Sequence, residues 1–151
     1  RSLDTRSKVL KAGRVKDPEA AQMLRRPDAW VYQVTRVRFF EGKTLALHHA
    51  YFTPLLGKAV KRADFEAVSI LEFLRQELKL DLVEERQEID AMVATPDLAN
   101  VLDVRSGAPI LFLSRYFRQA DGTPLVIFRS FYRADRYYYT VSISAPGAAA
   151  R

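Results

Sequence analysis

The chain has 151 residues, of which 48% are hydrophobic and 28% are charged. This length supports one sizeable core, so we expect a single domain over residues 1–144 and a flexible tail over 145–151. The sequence contains no cysteine, which excludes disulfides, thiolate nucleophiles and cysteine-bound zinc. The net charge is +6, but the 24 basic residues are interleaved with acids, so no stripe that binds nucleic acid directly is predicted.

The cellular location of the protein is predicted from two signals that its sequence lacks. No long uncharged apolar run suggests a membrane span, and the first residues lack the apolar segment of a signal peptide. We therefore expect a cytoplasmic protein. We expect further protein upstream, because the chain starts at Arg1 rather than at methionine.

The first predicted elements are a strand, a short helix and a β-hairpin. Residues 7–15 suit a strand, and a helix is expected from Pro18, because Asp17 offers an N-cap oxygen and proline fits the first helical position. Residues 30–40 and 44–52 alternate polar residues with β-branched and aromatic ones, and a glycine turn separates them. This pattern predicts a hairpin.

A helix is predicted next, in the middle of the chain. Ser69 and Glu72 have the spacing of a capping box, and the residues from Ile70 to Leu78 place apolar side chains on one helical face. Such a face must cover a sheet. A further strand is predicted over residues 82–95.

The second half of the chain repeats the first with an offset of about 80 residues. Thr95-Pro96 repeats the helix start, residues 110–118 and 124–132 repeat the hairpin, and Arg115 corresponds to Arg36. A closing strand is expected over residues 136–143. These elements predict an α+β fold with an internal duplication: a mainly antiparallel sheet of about six strands, with helices packed on one side.

Several local sequences, in this order, carry a resemblance to a known family. They are Lys8 to Ala12, Arg36-Val37-Arg38, Leu45-Ala46-Leu47, Ser69 to Leu74, Arg86 to Ala91, Gly107 to Leu111, Asp121 to Leu125 and Ser130 to Tyr137. The chain resembles the UTRA domain of the HutC branch of GntR-family transcription regulators. The resemblance implies a chorismate lyase-like fold and a metabolite pocket on the sheet. It also implies a homodimer that contacts DNA only through an N-terminal winged-helix domain absent from this sequence.

The strongest candidate binding residues are Arg36 and Arg38. Residues two apart on a strand face the same way, about 6.5–7 Å apart, and paired guanidinium groups suit bidentate capture of a carboxylate or phosphate. An anonymous pair of this kind more often lies on a solvent-facing strand. The resemblance favours binding instead, because family members hold their ligand with arginines of this strand.

Three further positions are candidates. His48 lies where family members often carry an acid that contacts the effector, but whether His48 or His49 faces the arginines depends on the strand register. The resemblance places Tyr132 in the pocket. Val126 replaces a frequent acid of the family, which indicates a less acidic pocket. Ser69 can offer its hydroxyl to an anion or serve only as a helix cap.

Two other classes of function remain open. An enzyme related to chorismate lyase is one, although the sequence shows no convincing nucleophile with a base. A protein-interaction module whose sheet edge or aromatic face binds another chain is the other. We expect no catalytic residue and no cofactor. We also expect no metal site, since the side chains of two adjacent histidines on a strand point to opposite faces and no third ligand is indicated.

Overall fold

The computed structural model describes residues 5–143 of the chain. Its strands are β1 (Thr5–Lys16), β2 (Trp30–Phe40), β3 (Lys43–Phe52), β4 (Leu82–Val93), β5 (Pro109–Gln119) and β6 (Pro124–Arg133). Its α-helices are α1 (Pro18–Met23), α2 (Pro54–Val60), α3 (Ile70–Glu72) and α4 (Pro96–Leu102). Helix α3 continues into a π-helical segment over Phe73–Glu77. The tail expected over 145–151 lies outside the described residues.

The strands form one sheet in the order β1-β2-β3-β6-β5-β4, and all neighbours are antiparallel. The second half of this order repeats the first half in reverse, which places a pseudo-twofold axis between β3 and β6. The predicted α+β class, the six strands and the internal duplication are confirmed. Arg36 on β2 and Arg115 on β5 occupy corresponding places in the two copies.

The helices cover both faces of the sheet, so the prediction that they pack on one side was wrong. Phe52 packs in a cluster with Val60 of α2, and with Ile70 and Leu74 from α3 and the segment that follows it. Tyr51 points the other way and packs with residues of α1. Each copy carries its own helix before its hairpin, and α1 and α4 both lie on the face opposite to α2 and α3. We call the face covered by α2 and α3 the connector face.

Side-chain caps begin the helices, as the sequence predicts. The Asp17 carboxylate accepts a hydrogen bond from the Ala20 N–H at 3.0 Å, and Thr95 Oγ1 accepts one from Leu98 N–H at 3.3 Å. The sequence analysis missed α2, which starts with the same Thr-Pro signal: Thr53 Oγ1 accepts from Leu56 N–H at 3.3 Å. No helix in the described part of the chain is long and apolar enough to cross a membrane.

The strand predicted over residues 136–143 is not formed, and residues 137–143 have no regular structure. Tyr137 stacks on Tyr132, with ring centroids 3.8 Å apart, and the Tyr139 hydroxyl donates to Gln87 Oε1. These side-chain contacts hold the segment on the connector face, where its backbone does not pair with another strand.

Candidate functional site

A cleft of about 340 Å³ opens on the connector face near the start of β1. The residues around it come from β1, β2 and the loop that leads to α3. They are Thr5, Arg6, Ser7, Arg36, Arg38, Phe65, Glu66, Ala67, Val68 and Ser69. The sheet thus forms one wall, and residues 65–69, which we call the connector loop, form the other.

The guanidinium of Arg36 is buried between the sheet and the connector loop. The residue is only 7% exposed. Its Nη1 donates to the backbone oxygen of Phe65 at 3.3 Å, and its Nη2 donates to His48 Nδ1 at 3.3 Å. Burial, together with the neighbouring charge of Arg38, lowers the pKa of Arg36 to about 10. Arg36 therefore joins the sheet to the connector loop.

The Nε atoms of Arg36 and Arg38 are buried and have no hydrogen-bond partner among residues 5–143. Nor does any ion pair within 4 Å join either guanidinium to a carboxylate in that part of the chain. A buried donor without a partner costs about 1–3 kcal/mol, and more when it is charged. The cleft thus holds two cations whose donors are incompletely satisfied.

The strand register settles which histidine faces the arginines. His48 lies directly opposite Arg36 and shares its face, whereas His49 pairs with Thr35 on the other face. The Thr35 hydroxyl lies 2.8 Å from His49 Nδ1. Because Arg36 donates to His48 Nδ1, the His48 ring accepts there and is neutral. Burial lowers the pKa of His48 well below its usual value, and the charges of Arg36 and Arg38 lower it further.

Both histidines predict a loss of stability in mild acid. The pKa of His49 is also lowered, first by burial and then by Lys11 and Arg129, against the opposing effect of Asp17. Below about pH 6.5 the unfolded chain binds protons that the folded chain does not, so the free energy of unfolding falls by up to about 1.4 kcal/mol per pH unit for each histidine.

Thermal unfolding between pH 7.5 and pH 5 measures this effect. We expect His48→Gln to have a shallower pH dependence than the wild type. An unchanged slope in the double variant His48→Gln/His49→Gln would contradict the assignment, since these are the only two histidines in the chain.

Ser69 lies at the cleft and also caps a helix. Its Oγ accepts a hydrogen bond from Glu72 N–H at 3.3 Å, as the capping-box pattern predicts. That bond uses an oxygen lone pair and leaves the hydroxyl proton available to donate. The two roles left open by the sequence are therefore compatible.

The sequence analysis missed two polar residues of the cleft. Ser7 lies directly opposite Arg38 on β1, which only the strand register reveals. Of the lining residues in the described part of the chain, Glu66 alone has a carboxylate, and it accepts a hydrogen bond from Val9 N–H at 2.7 Å. Three lining arginines, Arg6, Arg36 and Arg38, therefore outnumber one acid. The cleft has a positive potential.

Tyr132 shares the face of Arg38 but lies two strands away, across Ala46. It stacks on Tyr137 and does not line the cleft. Val126 is fully buried in the core beside Phe52, so it is not at the cleft either. The structure thus places Arg36, Arg38 and Ser69 at one cleft, with His48 adjacent, and Tyr132 apart. Within residues 5–143, no group of three or more His, Asp or Glu side chains could hold a metal ion.

The second copy shows how an arginine of this face can bind an acid. Arg115, the counterpart of Arg36, donates from Nε and Nη2 to the two oxygens of Glu84 at 2.7 and 3.0 Å. The hydrogen bond to Glu84 raises the pKa of Arg115. The pair is a bidentate ion pair, the arrangement that a guanidinium fork favours.

Comparison with known proteins identifies the family. Residues 1–138 match the UTRA domain. The chain belongs to the UTRA family. The chain is 27% identical over 109 residues to the HTH-type transcriptional repressor NagR of Bacillus subtilis (strain 168), a match that covers 72% of this chain and 44% of NagR. The chain therefore spans less than half of that relative.

Solved structures of regulators share the fold. The UTRA domain superposes on the effector domain of PhnF from Mycobacterium smegmatis with a TM-score of 0.82 at 19% identity, covering 93% of this chain and 88% of the other. It superposes on the C-terminal domain of the histidine utilization repressor from Pseudomonas syringae pv. tomato str. DC3000 with a TM-score of 0.83 at 17% identity, covering 93% and 99%. The resemblance to UTRA domains of GntR-family, HutC-type regulators is confirmed.

Proposed function

We propose that this UTRA domain binds a small anionic metabolite in the cleft and so controls an N-terminal winged-helix DNA-binding domain. The observation that carries the proposal is the pair of buried Nε donors on Arg36 and Arg38, which have no partner among the described residues and lie at a cleft of about 340 Å³. An anion placed there neutralises two adjacent positive charges, and the buried Nε donors reach it when the two guanidinium groups turn towards the cleft.

The internal duplication supports a carboxylate or phosphate as the group recognised. Arg115 holds the carboxylate of Glu84 with two hydrogen bonds, whereas its counterpart Arg36 has no carboxylate within salt-bridge distance in the described chain. A ligand carboxylate or phosphate at Arg36 and Arg38 takes, in the first copy, the place that the Glu84 carboxylate has beside Arg115 in the second copy.

Each candidate residue has a role in this account. Arg36 and Arg38 bind the anion, Ser69 donates its hydroxyl, and His48 orients Arg36 through its Nδ1. Tyr132 contacts a part of the ligand that extends along the sheet towards β6. No cofactor takes part.

The regulatory step follows from the bond between Arg36 and the backbone oxygen of Phe65. An anion that draws the Arg36 guanidinium into the cleft changes the hydrogen bond that joins the sheet to the connector loop. The effector then favours one arrangement of the loop, and regulation requires that this arrangement suit one DNA-binding state better than the other. We further propose a homodimer of single domains over residues 1–144, acting in the cytoplasm, where the regulated DNA is.

The same geometry makes an enzyme the weaker alternative. Among the described residues that line the cleft, only Glu66 carries a carboxylate, and that carboxylate is bound to the Val9 backbone. His48 has its Nδ1 occupied by Arg36. A general acid or base must reach the reacting group with a suitable pKa, and these two side chains are already engaged.

A thermal-shift screen of carboxylates and phosphate monoesters tests the proposal. A ligand at 100 times its Kd stabilises the folded state by about 2.7 kcal/mol, which raises the Tm by several degrees. We expect a shift for at least one anion, its loss in Arg38→Gln, and its retention in the control Arg105→Ala, whose exposed side chain lies outside the cleft. Turnover of that anion, or a shift unaffected by Arg38→Gln, would contradict the proposal.

A further inference from the structure

The two edges of the sheet carry opposite charges, although the internal duplication makes them structurally equivalent. Strand β1 has five cations and no acid, whereas β4 has four acids and one cation. Charged side chains of either sign keep an edge strand from pairing with another strand. Protection of the edge therefore explains why β1 is charged but not why it is positive. The sign of its charge indicates a negatively charged partner.

Helix α2 adds lysines to the cations at one end of β1. Because Gly57 has no side chain, α2 packs closely against Tyr32 of β2. Beside this contact is a depression of about 240 Å³. In the described part of the chain it is lined by three cations and no acid, the full set being Arg14, Tyr32, Pro54, Gly57, Lys58 and Lys61. We call its three cations, together with the neighbouring Lys16, the basic surface.

The four cations of the basic surface are exposed, and none forms an ion pair within 4 Å in the described chain. The acids adjacent in sequence are engaged elsewhere, since Asp17 caps α1 and Asp28 accepts from the Trp30 N–H. The guanidinium of Arg14 lies 4.7 Å from the centre of the Trp30 ring, and Lys16 Nζ lies 5.4 Å from it. Trp30 thus helps to position two of the cations.

We propose that the basic surface contacts the phosphate backbone of duplex DNA, in addition to the contacts made by the winged-helix domain. This inference rests on the proposed function, which places the domain in a DNA-binding regulator and so favours DNA over an acidic protein. Exposed lysines suit a row of phosphates, because each ammonium is a point charge on a flexible stem. The sequence alone predicts no such surface, because residues 14–16 and 58–61 meet only in the fold.

Fluorescence anisotropy of a short labelled duplex, titrated with this domain at several salt concentrations, tests the proposal. Each phosphate that a cation neutralises contributes about −0.9 to the slope of log K against log salt concentration. Four such contacts predict a slope of about −3.6 for the wild type. We expect Lys58→Glu/Lys61→Glu to make this slope shallower by about 1.8 and to weaken binding at least tenfold at low salt.

The control Lys43→Glu/Arg105→Glu changes the net charge equally at two other exposed positions. Lys43 lies at the hairpin turn, at the opposite end of β2 from Trp30, and Arg105 lies in the loop before β5. This control should keep the wild-type slope, and thermal unfolding shows whether both double variants fold. Equal losses in the two variants would overturn the DNA contact, because net charge alone would then explain the binding.

Two further results separate this inference from its alternatives. Polyglutamate that competes for the basic surface as well as DNA would overturn the proposal and indicate an acidic chain as the partner. A wild type that shows an anion-induced thermal shift but does not bind the duplex would overturn the DNA contact alone and leave the sensing proposal intact. We expect Lys58→Glu/Lys61→Glu to lose DNA binding and keep that thermal shift, because neither lysine lines the cleft.

Discussion

Replacing Arg36 with methionine should weaken anion binding by about 100-fold or more, yet change the stability of the ligand-free domain by no more than about 1 kcal/mol. The residue is 7% exposed, its Nε has no partner in the described chain, and the hydrogen bonds of its Nη1 and Nη2 are long, at 3.3 Å each. Methionine fills a similar volume without a buried charge. Two lost charge-assisted bonds of about 1.5–3 kcal/mol each account for the weaker binding.

Titration calorimetry with the anion identified by the screen, together with thermal unfolding, measures both quantities. Arg129→Met is the matched control. Its side chain is also mostly buried, but it pairs with Glu19 at 3.2 Å, and Glu19 lies in the first turn of α1 on the opposite face. This control should lose some stability and keep its affinity. Equal losses of affinity in the two variants would show that Arg36 acts only through the fold.

Replacing Gly57 with alanine should destabilise the domain by about 1–3 kcal/mol, which corresponds to a Tm lowered by about 2–12 °C. A Cβ at this position of α2 would lie 2.5 Å from both Cβ and Cγ of Tyr32. The Tyr32 Cβ is fixed to β2 and cannot rotate away, so the helix must move. In an open helix the same change stabilises by about 1 kcal/mol, because alanine is the better helix former.

The sign of the change in Tm therefore shows which effect dominates: a lower Tm indicates the close contact with Tyr32, and a higher Tm indicates helix propensity. Lys58→Ala, next along the same helix and exposed, is the control, and it should leave the Tm nearly unchanged. A Gly57→Ala variant as stable as the wild type would show that α2 can shift away from β2 without cost. We also expect its anion-induced thermal shift to fall, since α2 leads into the connector loop.

Much of the fold was predictable because its signals are local. The Asp17-Pro18 and Thr95-Pro96 starts, the turns at Gly42 and Gly122 and the alternation along each strand depend on neighbouring residues. The missing closing strand and the helices on both faces depend on the tertiary structure. Tyr137 stacks on Tyr132 rather than joining a ladder, and no local pattern reports such a contact.

The candidate site was predicted in part for the same reason. Arg36 and Arg38 share a face because side chains alternate along a strand with a period of two residues. The spacing of Ser69 and Glu72 in the sequence predicts the helix cap. Which histidine joins Arg36 required the register between β2 and β3. Ser7 and Glu66 reach the cleft only through long-range packing, so the sequence alone offered no reason to select them.

Arginine side-chain NMR provides the most direct test that the cleft binds an anion. Within residues 5–143, the buried Nε atoms without a partner belong to Arg26, Arg36, Arg38 and Arg136, but only Arg36 and Arg38 line the cleft. Titration with inorganic phosphate at constant ionic strength should shift the Nε–H resonances of these two and protect them from exchange with water. The resonances of Arg26 and Arg136 should stay in place. Unmoved signals from Arg36 and Arg38 at saturating phosphate, or equal shifts in all four, would contradict the account.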